Sequence, residues 1–374
     1  MERNSILTGH VYDKDRNLFH TGELWIDSGT YTPDKHQFVK YIDAPPDIPN
    51  FATMNSTETL DYCVKVLMPL LNNGGSELTD KQIKDKLPLF ATSIMVLPNN
   101  YAFYSVKVSH AVGDGVTFFH IMQEISMLMN GHYHQSNSDI SISPLEWSNP
   151  MKPTHEFYPD AFSPRDVEKS YGLPFLCGLL KNFPTLASRN QNILLLCKKK
   201  VTQKKREYRF NGTESFICND PISSNDIITA ALCEANESSD IFVFTENIRG
   251  LKDGIPRNAS GNFFWEVPVS RLACAANPLQ VRMSVANGGY YPTDELPLQP
   301  FLCGRVGRLT SLATITHTIS YPGTETICQL PFISFLQEIP LDVAIIFRFN
   351  NLYWGVLHNF AQFRLTGLLS ELVA

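Results

Sequence analysis

The chain has 374 residues, 43% of them hydrophobic and 18% charged, and carries a net charge of −6. That length suits two domains of similar size, 1–190 and 191–374, while the composition excludes a disordered chain and the acidic balance argues against a general nucleic-acid binder. No run is apolar enough to span a membrane, and the polar start from Met1 to Ser5 has no signal-peptide core, so the cytosol is the expected compartment.

In chain order, short aromatic and β-branched runs at 18–19, 24–26 and 38–42, punctuated by Gly and Pro, read as strands. Residues 57–71 put Leu60, Val64, Leu67 and Leu71 on one face, which predicts a helix capped by Thr57. Residues 89–97 and 101–108 read as two strands joined through Pro98-Asn99-Asn100 in a hairpin. Phe118, Ile121, Met122, Ile125, Leu128 and Met129 recur at helical spacing, predicting a helix over 116–130 with Gly131 just past its end. From 131 to 192 the pattern weakens into Ser-rich and Pro-rich sequence, read as the crossover between domains.

Lys198, Lys199, Lys200, Lys204, Lys205, Arg206 and Arg209 make the one basic cluster of the chain. It reads as a solvated strand or loop face, with attraction of an anionic ligand such as coenzyme phosphates as the functional alternative. Ser223 or its neighbours cap an apolar helical run over 227–233, and 240–245 reads as a strand. Residues 314–320 alternate as a strand, 341–349 and 352–357 pair as a hairpin across Asn350-Asn351, and 359–372 are expected to close the chain as a helix.

The most informative stretch is Ser109-His110-Ala111-Val112-Gly113-Asp114-Gly115. It lies between an expected strand and an expected helix, where a loop can hold an imidazole rigidly. Histidine alone has an ordinary pKa suited to taking a proton near neutral pH, so His110 is a candidate general base. Asp114 could orient that imidazole or pair with a cation elsewhere, and Gly115 would let the helix start pack closely. The eight cysteines show no C-x-x-C pair, fitting reduced buried thiols better than a disulfide framework or a metal site, and no Gly-x-Ser-x-Gly elbow marks a serine nucleophile.

His110, Asp114 and Gly115 at this spacing resemble the HxxxDG motif of the chloramphenicol acetyltransferase-like superfamily, which includes plant-type BAHD acyltransferases, wax ester synthases and peptide-synthetase condensation domains. The later order of capped helix, strand, Asn247-Ile248-Arg249, Pro256 and Gly261-Asn262 is similar to the second half of BAHD-type enzymes. The resemblance implies an α/β fold of two lobes, each a mixed β-sheet backed by helices, with the active-site channel between them. It further implies an acyltransferase that moves an acyl group from acyl-CoA to a hydroxyl or amine of a small-molecule acceptor. His110 would be the base, attack would be direct with no covalent acyl-enzyme, and no cofactor would be needed beyond acyl-CoA as co-substrate. Asp114 and Gly115 would be structural, with Asp114 pairing with Arg249 from the second lobe.

Ser109 replaces the first His of the doubled-His version of the motif. The Asp-Phe-Gly-Trp-Gly element of plant enzymes is absent, since Tyr353-Trp354-Gly355 does not match it. Thr316, His317 and Ser320 fall where relatives often place a donor for the oxyanion, and they also read as exposed positions of a half-buried strand. Two other classes stay open: a condensation-like enzyme whose donor rides on a carrier protein, and a catalytically silent ligand-binding relative. No nucleic-acid partner and no membrane span are expected, and the chain is expected to be a monomer.

Overall fold

The computed structural model describes residues 10–13, 24–27, 39–71, 90–108, 113–130, 146–147, 180–181, 184, 189–210, 222–251, 255–257, 259–261, 263–286, 305–313, 323–331 and 341–374. Contacts divide the chain into two units, Met1–Pro153 with Pro256–Phe263, and Thr154–Ile255 with Phe264–Ala374.

In the first unit, β1 (His10–Asp13) and β2 (Leu24–Asp27) pair antiparallel. A three-stranded sheet runs β3 (Val39–Tyr41), β4 (Phe90–Leu97), β5 (Tyr101–Val108), with β3 parallel to β4 and β4 antiparallel to β5. The hairpin follows the expected Asn-Asn turn. Asn99 and Asn100 sit at φ 61° and 63°, left-handed angles that Asn tolerates and most residues do not.

The helix expected over 57–71 forms in three pieces: α1 (Ser56–Tyr62), a π turn (Cys63–Leu67) and α2 (Met68–Leu71). Asn55, not Thr57, is the cap. Its Oδ1 accepts from the amides of Thr57 and Glu58 while the Glu58 carboxylate accepts the Asn55 N–H, a complete capping box. The π turn lies just ahead of Pro69, which has no N–H to donate, and in it the Met68 N–H bonds to the Cys63 carbonyl. After β5 comes α3 (Gly115–Met129). Glu146–Trp147 then pairs in parallel with Ala259–Ser260, so eight residues from the second half of the chain complete this unit.

The second unit carries a six-stranded mixed sheet. Its strands are β6 (Asn192–Cys197), β7 (Ile241–Asn247), β8 (Phe264–Ser270), β9 (Val306–Ser311), β10 (Asp342–Arg348) and β11 (Tyr353–His358), in the order β8-β7-β9-β10-β11-β6. β7, β9 and β10 run parallel, and the outer pairings are antiparallel. Continuous burial of Ile241, Phe242, Val243 and Phe244 shows that both faces are covered, as central parallel strands require. On β11, Gly355 stands opposite Phe347, whose ring fills the space a Cβ would need.

The helices of this unit are α4 (Lys198–Phe210), α5 (Ser224–Ala235), α6 (Arg271–Cys274), α7 (Pro278–Ala286) and α8 (Gly367–Leu372). α5 is the hub: α4, α6, α7 and α8 all pack on it. Its cap is Ser223, with Asp226 closing the box.

Two further expectations are corrected. The basic cluster is neither strand nor loop but the helix α4, seated by Val201 and by Lys204, which bonds Glu207 at 3.0 Å and Glu371 of α8 at 2.6 Å. The closing helix covers only Gly367–Leu372, because the chain before it is committed to a buried polar cluster. The run at 18–19 and the strand expected at 314–320 lie outside the described residues. Cys197, Cys233 and Cys274 are free thiols.

That cluster centres on Asp342. Its carboxylate pairs with Arg189 with both side chains fully buried, and it accepts from Ser238 Oγ, Ser239 Oγ, Asn236 Nδ2 and the Ala361 N–H. Burial pushes this carboxyl up, but the Arg189 charge and the donors from Ser238, Ser239 and Asn236 outweigh it and hold it below the usual range. Next to it His358, fully buried against Phe360 and Phe363, is pushed down to about 4 by burial, partly offset by the Asp342 charge.

A histidine buried neutral binds its proton more readily unfolded, so stability at pH 7 falls as pH drops below the unfolded value near 6.5 and levels off below the folded value of about 4. The expected loss across that window is about 3 kcal/mol. Urea denaturation at pH 7 and pH 4.5 should show a His358→Asn variant losing clearly less between the two than the unmutated chain; equal losses would assign the pH dependence to other groups.

Candidate active site

The start of α3 is fixed by a small set of buried polar atoms. Asp114 is the N-cap: Oδ1 accepts the Thr117 N–H at 3.0 Å, satisfying one of the donors that a helix start leaves open, and its charge sits at the favourable end of the helix dipole. The other oxygen, Oδ2, accepts the Phe263 N–H at 3.0 Å, and the Asp114 N–H donates to the Gly261 carbonyl at 3.1 Å. Thr117, fully buried, exchanges two bonds with Gly261, donating from Oγ1 to its carbonyl and accepting its N–H, both at 3.0 Å.

The Asp-Gly of the motif is therefore a buried helix cap clamped on Gly261 and Phe263. A close approach is found at Gly113, where a Cβ would stand 2.6 Å from the Thr117 methyl group. Gly115 is the first residue of the helix. His110 lies outside the described residues, as do Thr316, His317 and Ser320. The chain on each side of His110 is described: β5 ends two residues before it, and the cap stands four residues after it.

In the second unit Arg249 is 5% exposed. Its Nη1 donates to Asn247 Oδ1 at 3.0 Å, and its own N–H reaches the same oxygen at 3.3 Å. One face of that unit's sheet also carries a polar strip that the sequence reading did not single out. Thr310 Oγ1 bonds Thr245 Oγ1 at 3.1 Å, and Arg308 pairs with the buried Glu266, whose carboxyl is raised by burial against the opposing pull of Arg308. Alternation along β7, β8 and β9 hides such a strip within apolar runs; the Arg-Leu-Thr and Trp-Glu-Val triplets were its only trace. Among the described residues no group of three or more His, Cys, Asp or Glu is placed to hold a metal ion.

No family model matches the chain, and no curated protein matches it in sequence. Solved structures do match in three dimensions. The structure of F. sporotrichioides TRI101 complexed with coenzyme A and T-2 aligns over 96% of this chain and 84% of its own, with a TM-score of 0.54 and 12% identity. F. graminearum TRI101 complexed with coenzyme A and deoxynivalenol aligns over the same shares, with a TM-score of 0.52 and 12% identity. The chain has the chloramphenicol acetyltransferase-like fold. The two-lobed α/β class expected from the motif is thus the observed one, over nearly the whole length.

Because Asp114 takes two backbone donors, its loss removes a cap worth about 1 kcal/mol and strands the Phe263 N–H at about 1–3 kcal/mol more. Asp114→Ala should therefore cost about 2–4 kcal/mol in urea denaturation. Asp114→Asn should cost less, since its amide oxygen still accepts one bond. Equal losses for the two variants would mean that these backbone bonds are not what Asp114 contributes.

Proposed function

We propose that this protein is an acyltransferase that moves an acyl group from acyl-CoA to a hydroxyl or amine of a small-molecule acceptor, with His110 as general base. The observation that carries the reading is the clamp at the start of α3. It makes the Asp of the His110-x-x-x-Asp114-Gly115 motif a buried anchor, so that His110 stands in sequence between a strand end two residues before it and a fixed cap four residues after it. The fold supports it, and so do the coenzyme A complexes of the two TRI101 structures.

In the proposed reaction, the imidazole takes the proton of the acceptor O–H or N–H as its lone pair attacks the thioester carbonyl carbon. The tetrahedral intermediate then expels the coenzyme thiolate, which recovers the proton from the imidazolium. No acyl-enzyme forms, and no cofactor beyond the co-substrate takes part.

The experiment is thiol release from acyl-CoAs of several chain lengths with pooled alcohols and amines. His110→Ala should lower turnover about a hundred- to ten-thousand-fold with melting unchanged. A variant keeping most of the turnover would remove His110 from the mechanism, and no release with any donor would favour the ligand-binding alternative.

We further propose that Asp114 pairs with Arg249, as the motif resemblance implies. Removing one partner of a buried pair typically costs about 3–5 kcal/mol because the other charge is stranded. In a double-mutant cycle, Asp114→Ala and Arg249→Ala together should lose clearly less than the sum of the single losses. Strict additivity would mean that the two residues do not touch.

A further inference from the structure

The charges of α4 are not evenly used. On one side of the helix Lys204 is neutralised by Glu207 and Glu371, and the Lys200 ammonium donates to the Val373 carbonyl at 2.6 Å. At 100° per residue, Lys198 and Lys205 form one row on the other side and Lys199 and Arg206 the next, with no acidic residue in either. Lys199 and Arg206 are exposed and Lys205 is half-buried.

This cationic flank abuts the β10–β11 hairpin. The Lys198 N–H donates to the Leu352 carbonyl at 3.0 Å, its ammonium donates to the Asn350 carbonyl, and that nitrogen lies 4.9 Å from the centre of the Trp354 ring. Arg348 stands across from Trp354 in the same hairpin, with its Nε buried and without a hydrogen-bond partner among the described residues. At the tip Leu352 is 65% exposed. Burial, and then the like charge of Arg348, pull Lys198 down to about 8. Two cations are thus held close with no carboxylate bonded to either among the described residues, an arrangement that an external anion would relieve.

We propose that this surface, formed by the exposed flank of α4 and the tip of the β10–β11 hairpin, docks the protein on an anionic lipid bilayer. Lys199, Lys205 and Arg206 face the headgroups, and Leu352 and Trp354 enter the interface. A bilayer is favoured over a soluble polyanion because an exposed leucine and an amphipathic indole beside the cations suit the headgroup boundary, whereas a nucleic acid would leave Leu352 in water. Among the described residues no helix is long and apolar enough to cross a membrane. The docking does not depend on the proposed acyl transfer.

The test is sedimentation of the full chain with phosphatidylcholine vesicles, with and without phosphatidylserine, at low and high salt. The unmutated chain should pellet only with the anionic vesicles and be released by salt. Each basic side chain at such a surface strengthens binding about five-fold, so the triple variant Lys199→Gln, Lys205→Gln, Arg206→Gln should bind about a hundredfold more weakly. Leu352→Ser should weaken binding about tenfold with melting unchanged, since Leu352 packs little in the fold. Three results would overturn the proposal: no pelleting with anionic vesicles at low salt, equal pelleting with neutral ones, or a Leu352→Ser variant that binds like the unmutated chain. That last outcome, with displacement by a short DNA duplex, would assign the patch to a soluble polyanion.

Discussion

The first unit depends on a clamp between residues far apart in the chain. Thr117 and Gly261 are separated by 144 positions and Asp114 and Phe263 by 149, yet three hydrogen bonds of 3.0 Å, and a fourth of 3.1 Å from the Asp114 N–H to the Gly261 carbonyl, join the two stretches. Loop-closure entropy grows only slowly with length, so bringing so distant a segment into place costs little more than closing a short loop. The return depends on satisfied polar atoms. Each of the Gly261 and Phe263 backbone groups buried here would cost about 1–3 kcal/mol if left unbonded, and Asp114 and Thr117 are the side chains that meet them. A consequence is that residues 1–153 alone are an incomplete unit, because the parallel partner of Glu146–Trp147 lies at Ala259–Ser260.

The second unit solves a similar problem with charge. Asp342 opens β10 in the middle of the sheet, where an unpaired carboxylate would not stay ionised, and its partners come from three separate stretches: Arg189, 236–239 and Ala361. A buried pair of this kind is weak evidence for net stability against an apolar replacement, but losing one member is expensive. Its effect is to fix where those stretches meet. The chain after β11 therefore cannot start a helix early. Asn359 spends its side chain on Val343 and Leu341, and Gln362 and Arg364 give their amides to Ser238 and Ala235.

Much of this was legible in the sequence, and the failures share a cause. The Asn99-Asn100 hairpin, the Ser223 cap, the β10–β11 hairpin and the α3 helix all rest on short-range rules of turn, cap and periodicity, and they appear as read. α4 was missed because its sequence has almost no apolar stripe. Its mean hydropathy is that of a solvated segment, and it is held by α5, by β6 and by a salt bridge from Lys204 to Glu371 of α8 that no local window contains. The early close of the chain as a helix was overread because apolar spacing at 359–372 serves Phe360 and Phe363 around His358 instead. At the site, Asp114 before a helical run was a cap signal in plain view. What the cap holds, Gly261 and Phe263, could not be found without the fold.

The Asn-x-Arg spacing shows how a short motif can have a purely local reason. At the end of β7, Asn247 Oδ1 is placed to accept both the backbone amide and the guanidinium of the residue two positions on. That double use requires a side-chain carbonyl of this length, because a Gln would carry the oxygen past the amide and a Ser would fall short of the guanidinium. An Asp could make both bonds, but it would tie the Arg249 charge to an anion already in hand, whereas the neutral amide orients the guanidinium without neutralising it. Ile248 between them is buried at 1% exposure and anchors the turn to the core, so the polar pair is aimed by an apolar pin. Asn247 thus sets the direction of Arg249 and leaves its charge intact, which is the condition a guanidinium must meet if it is to serve a carboxylate elsewhere.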